Sequence, residues 1–98
     1  MDSQQVLRTL RAHERELKRA GILHLRLFGS VARGEATPTS DVDLLAEFDK
    51  SQRLTLVKIG SLQGRLTELL GAPVELSSQD WMREPVRSTA LREAVLAF

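Results

Sequence analysis

Cysteine is absent from the 98 residues, which excludes disulfides, thiolate metal sites and a cysteine nucleophile, and is compatible with a reducing cytoplasm. Excess charge is missing too: 14 basic against 13 acidic residues leave a net +1. That is too little for a protein that holds duplex nucleic acid or an anionic membrane by bulk electrostatics. No apolar run approaches membrane-spanning length, and the opening "MDSQQVLRTLRAHEREL" is too polar for a signal peptide. Repeats, linkers and low-complexity segments are lacking as well. With 42% hydrophobic residues, the expectation is one domain over residues 1–98 with one modest core, located in the cytoplasm and without direct contact to nucleic acid or membrane.

What is present is a set of short periodic segments. Asp2 or Ser3 can cap a helix in which Val6, Leu10, His13, Leu17 and Ala20 recur at spacings of three and four, stopped by Gly21. "ILHLRLF" alternates as a strand, with Leu23, Leu25 and Leu27 on one face and Ile22, His24, Arg26 and Phe28 on the other. "VDLLAEF" makes a second strand whose faces carry Asp41, Asp43 and Leu45, and Val42, Leu44 and Ala46. After a polar break at 49–52, a helix from about Leu54 to Leu70 follows the stripe Ile59, Leu62, Leu66 and Leu69 and closes at Gly71; Gly60 and Gly64 weaken it. "APVELS" is a third strand, and Pro85 opens a last helix carrying Val86, Leu91, Ala94, Val95 and Phe98. This order predicts an α/β (α+β) fold, a small mixed three-stranded sheet packed with helices.

The chemistry concentrates between the first two strands. Gly29 has no side chain, so the backbone there can approach a large anion, and Ser30 opens a short helical turn, "SVARG", whose free amides suit a phosphate chain. Asp41 and Asp43 lie two residues apart on one strand face, about 6.6 Å along the chain. Carboxylates so placed can converge on two cations about 3.5–4 Å apart, and a pair of magnesium ions would relieve the cost of burying them. Glu75 adds a third carboxylate if its strand pairs beside the second. A phosphate cradle facing such a trio describes phosphoryl or nucleotidyl transfer with two metals.

The stretch "FGSVARGEATPTSDVDLLAEF" resembles the DNA polymerase β-like nucleotidyltransferase superfamily, whose pattern is a Gly-Ser pair followed about ten residues later by Asp-x-Asp. Gly-Ser-x-Ala-Arg-Gly and then Ser-Asp-x-Asp-Leu resemble its minimal nucleotidyltransferase (MNT) branch, which includes the MntA-type antitoxins paired with HEPN toxins. The flanking helix, "GAPVEL" and the closing helix fall in family order, so the resemblance covers nearly the whole chain. It implies a polymerase β-like fold, ATP as substrate and two Mg2+ ions. Gly29 and Ser30 would hold the triphosphate, and Asp41 and Asp43 would bind both metals. Glu75 stands where the family commonly has a third aspartate. The resemblance further implies a helical HEPN toxin as partner in a hetero-oligomer, with AMP transferred from ATP to a toxin tyrosine. Because larger enzymes of the superfamily carry an added helical domain on the acceptor side, a partner subunit is expected to supply that wall.

Simpler roles stand beside these. Glu75 can be an edge-strand charge facing water, and Arg33 either solvates its loop or contacts phosphate. Ser40 is either a turn residue before the second strand or a group that holds Asp41. His13 and His24 read as core or surface histidines, and Trp81 anchors the loop before the last helix more readily than it stacks on a base. Two other functions compete with an adenylyltransferase antitoxin: a binding-only antitoxin with a vestigial cleft, and a subunit that modifies a small hydroxylated molecule such as an antibiotic.

Overall fold

In the computed structural model, which describes residues 2–37 and 39–98, the Asp2 carboxylate accepts the Gln5 amide at 2.8 Å while the Gln5 side chain accepts the Asp2 amide at 3.2 Å. This reciprocal cap starts helix α1, Ser3–Ala12. The single helix predicted up to Ala20 is divided at His13, whose backbone (φ −110°, ψ 18°) leaves the helical region before α2, Glu14–Arg19, begins. The His13 ring lies 2.9 Å from the Thr9 carbonyl. Val6, Leu10 and Leu17 remain buried across the break. Gly21, at φ 109°, turns the chain into β1, Ile22–Phe28.

After β1 come the short helix α3, Gly29–Ala32, and β2, Val42–Phe48. Helix α4, Leu56–Leu70, is capped by the Thr55 hydroxyl on the Lys58 amide and closed by Gly71 in the left-handed region. It carries the chain across to β3, Val74–Ser78, which runs parallel to β2; β1 is antiparallel to β2. A 3-10 turn, Gln79–Trp81, and helix α5, Val86–Glu93, complete the path to β4, Val95–Leu96. The leucines of α1, α2 and α4 pack with Val42, Leu44, Ala46 and Phe48 on one side of the sheet. The residues between them in sequence, Asp43, Leu45 and Glu47, therefore face the other side.

Other expectations need correction as well. The sheet has four strands, in the order β3-β2-β1-β4, not three, and the last helix stops at Glu93 instead of continuing to Phe98. The open edge of β1 takes up the chain end: the Ala97 amide donates to the Leu25 carbonyl at 2.8 Å, and the Leu25 amide donates to the Phe98 carbonyl at 3.2 Å. Arg11, 86 residues away in sequence, donates from Nε to the Ala97 carbonyl at 2.7 Å and from Nη2 to the Leu96 carbonyl at 3.0 Å. The alternation of β1 also breaks, because the register passes from Ile22↔Phe48 to His24↔Glu47 with one extra residue between them. Leu23 is thereby 41% exposed, and Ile22 joins Leu25 and Leu27 in the core.

Replacing Arg11 by Met removes two charge-assisted hydrogen bonds and keeps much of the stem. Stability should fall by about 1–2 kcal/mol, and the Ala97 amide should exchange with solvent faster than the amides of β2. Protection of Ala97 equal to that of the wild type would show that β4 does not depend on this clasp.

Candidate functional site

The corner between β1 and α3 is built around Gly29. Its φ of 77° lies where other residues are strained, and a Cβ placed there would run into the Asp43 carboxylate, with Cγ only 3.0 Å away. The sequence expectation of a glycine followed by a short helical turn is met at this position. The first amides of α3, on Ser30 and Val31, have no preceding turn to receive them, while the turn closes through Arg33 N–H to the Gly29 carbonyl (3.2 Å) and Glu35 N–H to the Ser30 carbonyl (2.9 Å).

Arg33 and Ser40 lie on either side of the following loop. The Arg33 guanidinium sits 3.0 Å from Glu35 through Nε and 4.0 Å from Glu93 through Nη1, and it is close enough to Asp43 to favour that group's ionised form. The Ser40 hydroxyl accepts the Thr37 amide at 2.8 Å, and its own amide donates to the Thr37 carbonyl at 3.0 Å. Ser40 thus fastens the turn that delivers the chain to Asp41.

Strand β2 lies between β1 and β3, and its register places Asp43 opposite Phe28 on one side and opposite Glu75 on the other. Directly opposed residues point to the same side of a sheet, so Phe28, Asp43 and Glu75 form a row on the side away from the leucine core. The condition set for Glu75, that its strand pair beside the second, is met. Asp41 comes just before β2 and is exposed, as is Glu75; Asp43 is half-buried. Partial burial raises the Asp43 pKa above its ordinary value. Repulsion by Glu75, a hydrogen bond shared with the Glu75 carboxyl and repulsion by Asp41 add to the shift, and Arg33 offsets part of it.

The three carboxylates are neighbours without forming a closed cage. Among the described residues, no group of three or more His, Cys, Asp or Glu side chains surrounds a point that could hold a metal ion. Magnesium does not require such a cage, since it is commonly held by one or two carboxylates together with substrate phosphates and water. An all-oxygen donor set of unbalanced negative charge next to a side-chain-free backbone fits that ion and a polyphosphate.

His13 and His24 take no part in the site: their rings face the carbonyls of Thr9 and Phe98. Helix α5, to which the sequence reading gave no part in the site, supplies an unanticipated wall. Val86, Thr89, Ala90 and Glu93 face Phe28, Gly29 and Arg33 across a cleft of about 340 Å³. Their helical spacing was the available signal, but spacing alone does not separate a cleft wall from a core stripe.

Residues 10–97 match the nucleotidyltransferase domain. The protein adenylyltransferase MntA of Thermococcus cleftensis is 39% identical over 87 residues, covering 88% of this chain and 86% of that protein. The solved structure of a candidate minimal nucleotidyltransferase superposes with a TM-score of 0.75 at 39% identity, over 97% of this chain and 95% of its own. A chain from a toxin–antitoxin crystal structure with AMP-PNP shares the fold at a TM-score of 0.71 and 16% identity, over 100% of this chain and 73% of its own.

The strained acid has a measurable consequence. Because the folded state raises the Asp43 pKa, it binds that proton more tightly than the unfolded chain does. The metal-free protein should therefore lose stability as pH rises from the ordinary carboxylate value through the raised one. Asp43→Asn is expected to raise the thermal midpoint at pH 7 and to leave it unchanged in acid, where both side chains are neutral. Magnesium should stabilise the wild type and not the variant. A lower midpoint for Asp43→Asn at pH 7 would contradict this account of the site.

Proposed function

We propose, for a chain that belongs to the nucleotidyltransferase domain family in its minimal branch, that it is an antitoxin transferring AMP from ATP to a tyrosine hydroxyl of a helical HEPN toxin in the cytoplasm. The observation that carries the nucleotide half is the juxtaposition of the Gly29 corner with the Asp43–Glu75 pair. The protein-acceptor half is supported by 39% identity to a protein adenylyltransferase and by the sequence resemblance to HEPN-paired antitoxins.

In this reading Gly29 lets the triphosphate approach the backbone, the Ser30 hydroxyl and the first α3 amides donate to it, and the Arg33 cation offsets its charge. Ser40 holds the turn that sets Asp41 in place. Asp41, Asp43 and Glu75 would hold two magnesium ions, which when bound screen the polyphosphate and make the attacking hydroxyl easier to deprotonate. The acceptor oxygen bonds to the α-phosphorus, its proton leaves, and pyrophosphate departs. Asp41 and Glu75 are exposed, so a docked protein surface is needed to exclude water from the reacting phosphate. The near-zero net charge favours a protein over a nucleic acid in that place.

Mixed with ATP, magnesium and its partner toxin, the chain should add adenylate to the partner, detected as intact mass. Glu75→Gln should slow that transfer by on the order of 100-fold, as loss of a positioned charge-stabilising group does, while sparing ATP affinity; Glu75→Asp should remain active. An unmodified partner in a complex that still suppresses its activity would replace this reading with a binding-only antitoxin.

A further inference from the structure

Strand β3 has a neighbouring strand on one side only, since the sheet runs β3-β2-β1-β4. On that side the Val42 amide donates to the Pro73 carbonyl at 2.8 Å, and the register sets Glu75 opposite Asp43. Backbone groups of β3 that point away from β2 have no strand to meet. At Leu76 a side chain takes the place of that strand: the Leu76 amide donates to the Gln63 Oε1 at 3.0 Å. Gln63 is half-buried on α4, and in sequence it lies between Leu62 and Leu66, whose side chains are anchored in the core. The helix that leads into β3 thus reaches over and holds the strand by its free edge.

We propose that Gln63 is a positioning residue for Glu75, acting through the Leu76 amide. The proposal rests on the reading of Asp41, Asp43 and Glu75 as ligands of divalent cations. The Leu76 nitrogen belongs to the same planar peptide unit as the Glu75 carbonyl carbon, so the bond that fixes the Leu76 N–H fixes the backbone from which the Glu75 side chain leaves. Glu75 is exposed. Its surroundings therefore do little to orient it, and its backbone sets where the carboxylate stands. Leu76 is only 7% exposed, so its amide loses its partner when the Gln63 oxygen is removed. The strand relieves that cost by moving outward from β2, which carries Glu75 away from Asp43. Asp43 has no such freedom, because it lies on a strand paired on both sides and against Gly29. One half of the acidic pair is fixed by the sheet, and the other half by a helix side chain.

Manganese alone, added without nucleotide or partner, reports the site through paramagnetic broadening of the Asp43 and Glu75 amide signals in NMR spectra. Gln63→Met keeps the length of the side chain and removes the acceptor. It should weaken manganese binding about tenfold, the lower end of what losing a group that orients a metal ligand costs. Gln63→Glu keeps an oxygen acceptor and should bind as the wild type does. Gln63→Met combined with Glu75→Gln should bind no more weakly than Glu75→Gln alone, because a residue that acts through Glu75 then has nothing left to position. The fold of each variant is verified by its thermal midpoint, and Gln63→Ala carries the comparison if Gln63→Met does not fold. Wild-type binding by the folded Gln63→Met or Gln63→Ala, weakening by Gln63→Glu, or additive losses in the double variant would overturn the role of Gln63 alone, provided Glu75→Gln still binds weakly. Wild-type binding by Glu75→Gln would overturn the reading of Glu75 as a ligand and this proposal with it.

Discussion

A carboxylate lies against a glycine backbone at the corner where β1 ends, and the site is arranged around that contact. Asp43 occupies the space that any side chain at position 29 would need. The left-handed turn at Gly29 and the position of the acid are therefore one constraint. Moving either would separate the first turn of α3 from the acidic row. Glu75 raises the electrostatic cost, because its carboxyl shares the same side of the sheet and opposes ionisation of Asp43. Such a cluster does not stabilise a fold by itself; it persists because the surrounding strands hold it there.

The holding force comes from the opposite side of the sheet. Leu10, Leu17, Leu44 and Leu66 are fully buried there, and burial of each large apolar side chain contributes about 1.5–3 kcal/mol. The central position of β2 ties this core to the site, since Leu44 faces the leucines and Asp43, its neighbour, faces the acids. The chain thus separates the side of the sheet that carries the leucine core from the side that carries the acidic row. Under the function proposed for this member of the nucleotidyltransferase domain family, that division would have a purpose: cations brought with a polyphosphate would offset the negative charge that the acidic row leaves unbalanced.

Helix α5 and the strand that follows it connect the two ends of the chain. Arg11 reaches from α1 to the carbonyls of Leu96 and Ala97, and β4 pairs with the free edge of β1. Helix α5 lies between β3 and that anchored strand, so its position beside Phe28 follows from both attachments. The cleft is consequently walled by parts of the chain far apart in sequence, and its shape depends on the integrity of the β1 edge.

Local features were legible in the sequence because their causes are local. The Asp2 cap, the stops at Gly21 and Gly71, the helical turn after Gly29 and the alternation of β2 each follow from residues within a few positions of one another. The Gly-Ser and Asp-x-Asp spacing was enough to mark the candidate phosphate and metal residues. Tertiary structure alone decided the rest. The bulge at Leu23 depends on the register with Glu47 and Phe48, and the conversion of the last residues from helix to strand depends on Arg11 and on an open strand edge. The contact between Gly29 and Asp43, the pairing of Asp43 with Glu75 and the cleft against α5 likewise require strands and helices to be brought together. Periodicity reports which side of an element is apolar; it does not specify which distant backbone or carboxylate that element will meet.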